Sequence, residues 1–151
     1  MDTKAVTDKL QYLLGTLRDG QNGFKDAADH ATAADLKTLF TERSAQRAAL
    51  AADIEQKLIA MGEQPRGGSV GAALHRTWLN VRDTLTGSDD YAVVAECERG
   101  EDVAVSNYQD VLNETELPAD IRAYVEAQYT QVKASHDQIR DLKHKMEAAK
   151  Q

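Results

Sequence analysis

Carboxylate and imidazole side chains interrupt the apolar stripes of two long helical segments of this sequence. Glu98 and Glu101 fall between apolar positions of the third such segment, and His136 lies one turn before an apolar position of the last. Carboxylates and imidazoles are the ligands with which helical bundles hold iron. Glu98, Glu101 and His136 are therefore candidate ligands of iron or another divalent metal, and no catalytic residue is predicted.

Three further polar residues stand where apolar faces should continue, namely Asp19, Arg47 and Gln128. A buried polar group needs a partner, so these side chains predict a polar layer across the middle of a bundle. Folding the chain about its turns brings Asp19 close to Arg47, Gln128 within a turn of Glu101, and His136 within a turn of Glu98. Two interpretations stay open: a metal or substrate site, or an ion-pair network that only sets helix register.

The histidine spacing bears on the metal interpretation. A di-iron bundle site takes a Glu-x-x-His pair from each of two helices, because that spacing places both ligands on one helical face. None of the four histidines has a glutamate three residues before it. The complete di-iron ligand set is absent, so the sequence leans towards a protein without enzymatic activity, although it does not decide the question.

Four long segments carry apolar residues at helical spacing and must position these groups. They are predicted from about Thr3 to His30, from the N-cap Thr32 to Met61, from the N-cap Ser88 to about Glu114, and from Pro118 onward. Gly62 is predicted to end the second helix as its C′ residue. The short connections within the first and last pairs force antiparallel neighbours.

The connection between the second and third helices is long, and a shorter helix is predicted within it at about Val70 to Leu85. His75 and Trp78 share a face of this crossover helix and are predicted to anchor it to the bundle. Two hairpins joined by one long crossover form the connectivity of ferritin-like bundles. The sequence therefore predicts one all-α domain over residues 1–151, an antiparallel four-helix bundle of ferritin-like topology.

Composition restricts the partners and the compartment. A net charge of −7 without a Lys/Arg cluster argues against nucleic acid. Apolar runs are too short to cross a bilayer, so no membrane partner is predicted. A lone cysteine, Cys97, fits a reducing cytoplasm. Tyrosines on the helices offer interface anchors, and a homodimer or larger homo-oligomer is expected, with any protein partner unknown.

A set of short stretches spans nearly the whole chain in order: residues 19–28, Gln46-Arg47, residues 67–69 and 74–78, residues 96–102, Tyr108, Leu117-Pro118, Gln128 and His136-Asp137. Together these stretches resemble a bacterial ferritin-like four-helix-bundle family whose function is unassigned. The resemblance implies the ferritin-like fold and a cytoplasmic or stress-related setting, and it brings no reaction with it. The sequence departs from ferritins and rubrerythrins at their Glu-x-x-His positions, which argues against ferroxidase and peroxidase chemistry. The alternative to a metal-binding bundle is a structural or stress-related interaction protein.

Overall fold

The computed structural model describes residues 1–66 and 89–150. This part of the chain forms four helices and contains no strand, which confirms the predicted all-α class. The crossover helix predicted around His75 and Trp78 lies outside the described residues. The helices are α1 (Thr3–His30), α2 (Ala34–Ala60), α3 (Asp90–Leu112) and α4 (Ala119–Lys150).

The four helices form an antiparallel bundle. Helix α1 packs against α2 and α3, and α3 packs against α4. Side chains close the ring between α2 and α4, since Arg43 contacts Gln138 and the Gln128 amide donates to the Leu50 carbonyl. Helices α2 and α3 therefore face each other diagonally across the bundle interior.

The structure confirms the predicted end of α2 but not its predicted start. Gly62 takes a φ of 85°, and the amides of Gly62 and Glu63 donate to the carbonyls of Ile59 and Leu58, which is a Schellman ending of α2. The N-cap prediction for Thr32 is wrong, and Ser88 lies outside the described residues. Ala33 occupies the N-cap position of α2 without a side-chain bond, and Asp89 caps α3 by accepting from the Ala92 amide.

A carboxylate from another helix explains the missing cap of α2. Asp90, in the first turn of α3, accepts from the Thr32 amide at 2.8 Å, the Thr32 hydroxyl at 2.9 Å and the Ala33 amide at 3.0 Å. Thr32 thus uses its hydroxyl as a donor to a neighbouring helix and does not accept from its own. This contact fixes the α1–α2 connection against the start of α3.

The apolar core is divided into two clusters along the bundle axis. One fills the end that contains the start of α1 and the end of α2, and the other fills the opposite end. Polar residues separate them on every helix. The apolar residues that border this division are Leu17, Leu50, Ala104 and Val132 on one side, and Phe24, Phe40, Cys97 and Ile139 on the other.

Candidate functional site

Arg47 lies in the division between the two apolar clusters. Its guanidinium forms an ion pair with the Oε1 atom of Glu101, which reaches it from the diagonally opposite helix. Both side chains are 1% exposed. Because neither charge has access to water, the pair is stable only if its remaining polar atoms also find partners.

All four helices contribute to the surroundings of this pair. Ser135 of α4 donates its hydroxyl to the second carboxylate oxygen of Glu101 at 2.6 Å. Phe24 of α1 places its ring 5.4 Å from the guanidinium carbon of Arg47, in cation–π range. Gly20 of α1 lies so close that a Cβ there would be 3.4 Å from the Arg47 Nε atom. Asp19 is buried beside it.

A second buried contact lies two turns away from the ion pair. Tyr108 donates its hydroxyl to the Gln128 Oε1 atom at 2.8 Å, and the Gln128 amide donates to the Leu50 carbonyl at 3.2 Å. Burial raises the pKa of Tyr108 far above its usual value, so the phenol remains a hydrogen-bond donor. Gln128 therefore joins α2, α3 and α4.

The predicted register of α3 against α4 is wrong by about one turn. Glu101 lies level with Ser135, and Gln128 lies level with Tyr108, so Gln128 does not reach Glu101. These two contacts place the midpoint of the hairpin near Pro118. Beyond Leu112, Asn113 keeps right-handed helical angles and the Glu114 amide donates to the Val111 carbonyl.

His136 lies on the α3–α4 interface, outside the central pair. Its Nε2 atom is 2.6 Å from Asp102 Oδ1 and its Nδ1 atom is 2.9 Å from Asp137 Oδ1. Burial lowers the pKa of His136, but the hydrogen bonds to Asp137 and Asp102 outweigh that effect and raise it. Lys133 and then His136 lower the pKa of Asp137 to about 2.

Glu98 has different neighbours again. Its Oε1 atom is 3.7 Å from the Lys143 ammonium, and its buried Oε2 atom has no hydrogen-bond partner among the described residues. Glu98, Glu101 and His136 thus each face a different partner. Within residues 1–66 and 89–150, no three His, Cys, Asp or Glu side chains converge as a metal site would require.

The residues at the bundle centre do not fit a divalent metal. Both oxygens of Glu101 are engaged, one by Arg47 and one by Ser135, and the guanidinium already supplies the positive charge there. Burial raises the pKa of the Cys97 thiol, and the carboxylates of Glu101 and Glu96 raise it further, so this side chain stays protonated. The chemistry of the donor set therefore favours an ion pair over a metal centre.

Comparison with known families now identifies the chain. The family described as "Domain of unknown function (DUF2383)" matches residues 5–114. The chain belongs to this family. No curated protein matches the sequence.

Solved structures with the same fold extend over almost the whole DUF2383 chain. One is reported as "A Dodecameric Thioferritin in the Bacterial Domain" and is the bacterioferritin-related protein from Bacteroides fragilis. It has a TM-score of 0.80 and 16% sequence identity, and the similarity covers 99% of this chain and 90% of that one. Another is a conserved hypothetical protein from Mycobacterium tuberculosis, with a TM-score of 0.73 at 15% identity, covering 94% and 99%. These likenesses confirm the predicted ferritin-like bundle. In the described part of the chain, no helix combines the length and apolarity needed to span a membrane.

Sequence reasoning missed three residues of the site in this DUF2383 protein. Ser135 gives no signal, because a single serine on a helix is an ordinary surface residue until the register is known. Gly20 and Phe24 stand in the segment that carried the family resemblance, but nothing in the sequence showed that both face Arg47. Arg47 itself was detectable as a charged interruption of an apolar stripe.

Proposed function

We propose that this DUF2383 protein is a non-catalytic helical scaffold that acts through protein contacts and uses an arginine where related bundles place metal ions. In di-iron bundles, glutamates and histidines from facing helices surround the metals. Here a glutamate from α3 is neutralised by Arg47 from α2, and this buried ion pair is the observation that supports the proposal.

The proposal has a structural rationale. A metal contributes binding free energy to a bundle only while it is bound, whereas an arginine is always present and always charged. The hydroxyl of Ser135 and the ring of Phe24 complete the surroundings of the pair. The scaffold would therefore keep one helix register regardless of the availability of metal.

Elemental analysis tests this proposal. Protein purified without a metal-chelating tag is analysed directly and again after aerobic incubation with ferrous iron, beside the Glu101→Gln variant as a matched control. We expect less than stoichiometric metal in both proteins and under both conditions. One or two tightly held equivalents per chain, lost in Glu101→Ala and in His136→Ala, would contradict the proposal.

Iron handling is the second candidate function, and the likeness to the thioferritin favours it. That protein is reported as dodecameric, and the fold similarity extends over nearly all of this chain. Self-association and a cytoplasmic location would accompany either candidate, whereas a stress-related role belongs with the scaffold. Sedimentation velocity at several protein concentrations, with and without ferrous iron, tests this second candidate: an assembly that forms or grows with iron would favour iron handling over the scaffold.

A further inference from the structure

The imidazole of His136 links the last two helices in a way that depends on its charge. Its side chain is 14% exposed, and each ring nitrogen lies within hydrogen-bond distance of a carboxylate, Asp102 on α3 and Asp137 on α4. A neutral imidazole has one donor and one acceptor, whereas the imidazolium has two donors. Both contacts are therefore favourable only while His136 carries its second proton.

The two aspartates beside His136 differ in how many other positively charged partners they have. On α4, Asp137 is also paired with Lys133 at 2.8 Å and with Arg140 at 3.5 Å. On α3, Asp102 has His136 as its one ion-pair partner among the described residues. Arg43, from α2, is directed to Gln138. Loss of the imidazolium charge thus affects the contact between helices most.

We propose that His136 is a pH-responsive latch that holds the C-terminal part of α4, residues 136–150, against α3. Protonated His136 donates to Asp102 and Asp137 together. When it releases its proton to solvent, one nitrogen is left with a lone pair facing a carboxylate oxygen, and the interhelical link loses its charge. The latch concerns regulation of the bundle and does not depend on the proposed scaffold function.

Among the side chains that connect α3 and α4 in this region, His136 is the one whose charge changes near neutral pH. Lys143 lies near Glu98, and Tyr91 donates to Glu147 at 2.6 Å. Lysine, glutamate and tyrosine keep their usual charge between about pH 6 and pH 8.5, whereas histidine changes its charge there. The carboxylates beside His136 raise its pKa, so the folded state retains the proton above the usual imidazole value.

Release of the latch would affect the second apolar cluster. Ile139 is fully buried in that cluster, and Leu142 and Met146 pack against it from the same part of α4. A weakened α3–α4 link would raise the frequency with which this segment opens. Local opening is measurable as amide hydrogen exchange, which distinguishes it from loss of the whole fold.

Hydrogen exchange with mass spectrometry, corrected for the intrinsic effect of pH, tests the latch. Between about pH 6 and pH 8.5 we expect residues 136–150 to lose about fivefold in protection, as fits a partly exposed ion pair, while residues 119–132 serve as the internal reference. Asp102→Asn should abolish this pH dependence and lower the midpoint of the His136 imidazole titration followed by NMR. His144→Gln, an exposed histidine on the same helix, should change neither.

Two results would overturn the proposal. One is an imidazole midpoint of His136 that is the same in the wild type and in Asp102→Asn. The other is a pH-dependent protection of residues 136–150 that survives in Asp102→Asn. His136→Gln should give protection independent of pH, and if that variant does not fold, the Asp102→Asn comparison still decides.

Discussion

The guanidinium of Arg47 and the carboxylate of Glu101 connect two helices that face each other diagonally across the bundle. Arg47 belongs to the α1–α2 hairpin and Glu101 to the α3–α4 hairpin, so the pair joins the two halves of the fold. The Ser135 hydroxyl donates to the second oxygen of the carboxylate. Gly20 and Phe24 lie against the arginine side chain. The pair thus specifies how the hairpins align, because a shift of either would leave a charge buried alone.

Removal of one charge of this pair should be costly. Arg47→Met leaves Glu101 buried without its cation, and we expect the free energy of unfolding to fall by about 3–5 kcal/mol. Urea denaturation followed by circular dichroism measures the change. Glu55→Gln is the matched control, because its pair with Arg18 is partly exposed (27% and 29%) and should cost at most about 1 kcal/mol. A loss for Arg47→Met no larger than that of the control would show that the central pair is not the main determinant of hairpin alignment.

Removal of both charges should restore stability. In Arg47→Met/Glu101→Leu neither side chain needs a counter-charge, and buried ion pairs replaced by apolar residues of similar volume often give proteins that are equally stable or about 1–4 kcal/mol more stable. We expect the double variant to unfold at higher urea than either single variant. Additive losses would indicate that the two charges do not interact.

Gly20 offers a test of how closely α1 approaches the pair. A Cβ at this position would lie 3.4 Å from the Nε and 3.5 Å from the Cγ of Arg47, which are ordinary van der Waals contacts. Gly20→Ala should therefore fit and stabilise α1 by about 0.5–1 kcal/mol through helix propensity. Gly20→Leu should displace Arg47 and destabilise the protein in thermal melts. In the Arg47→Met background this destabilisation should shrink, and an unchanged value would place the clash elsewhere.

The sequence was sufficient for those features that depend on local pattern. The apolar period gave the bounds of α1, and Gly62 ends α2 with the positive φ that glycine favours. The charged interruptions at Arg47 and Glu101 indicated buried polar groups, since a core stripe should be apolar. These signals are carried by residues close to one another in the chain.

Features that depend on contacts between helices could not be predicted from the sequence. The α3–α4 register is defined by the contacts of Glu101 with Ser135 and of Tyr108 with Gln128, which join residues far apart in the chain. Thr32 looks like an N-cap, but a carboxylate from α3 satisfies its amide and hydroxyl. The sequence alone does not show whether Glu101 binds a metal or pairs with Arg47, because that depends on which helices face each other across the bundle.

Asp90 should stabilise the bundle only while it is ionised. Burial raises the pKa of Asp90, but hydrogen bonds from Thr32 and Ala33 more than offset this and lower it overall. A lowered folded-state pKa means that the stabilisation is complete above the unfolded value of about 3.9 and is lost as the pH falls through the folded-state pKa. Asp90→Ala should cost about 1–2 kcal/mol at neutral pH, as removal of a helix cap does.

Denaturation at several pH values measures this contribution. The difference between wild type and Asp90→Ala should shrink as the solution becomes more acidic than about pH 4. Asp89→Ala is the control, because that carboxylate accepts one hydrogen bond, from the Ala92 amide at 3.2 Å, and lies on the same turn. It should cost less than Asp90→Ala, and unchanged stability of Asp90→Ala at neutral pH would mean that the contact with the α1–α2 connection contributes nothing.

The contact between Tyr108 and Gln128 predicts a mutual dependence between two buried polar residues. Tyr108→Phe leaves the Gln128 Oε1 atom without its donor, and Gln128→Leu leaves the Tyr108 hydroxyl unpaired, so each should cost about 1–3 kcal/mol. The double variant should cost less than the sum, because no buried polar atom of this contact then lacks a partner. Tyr129→Phe is the control, since the Tyr129 hydroxyl bonds to Gln109 at an exposed site, and it should change stability by about 0.5 kcal/mol or less. Additive losses in a double-mutant cycle would contradict a direct hydrogen bond between the two side chains. A coupling energy between them, together with unchanged stability of Tyr129→Phe, would establish the α3–α4 register by measurement.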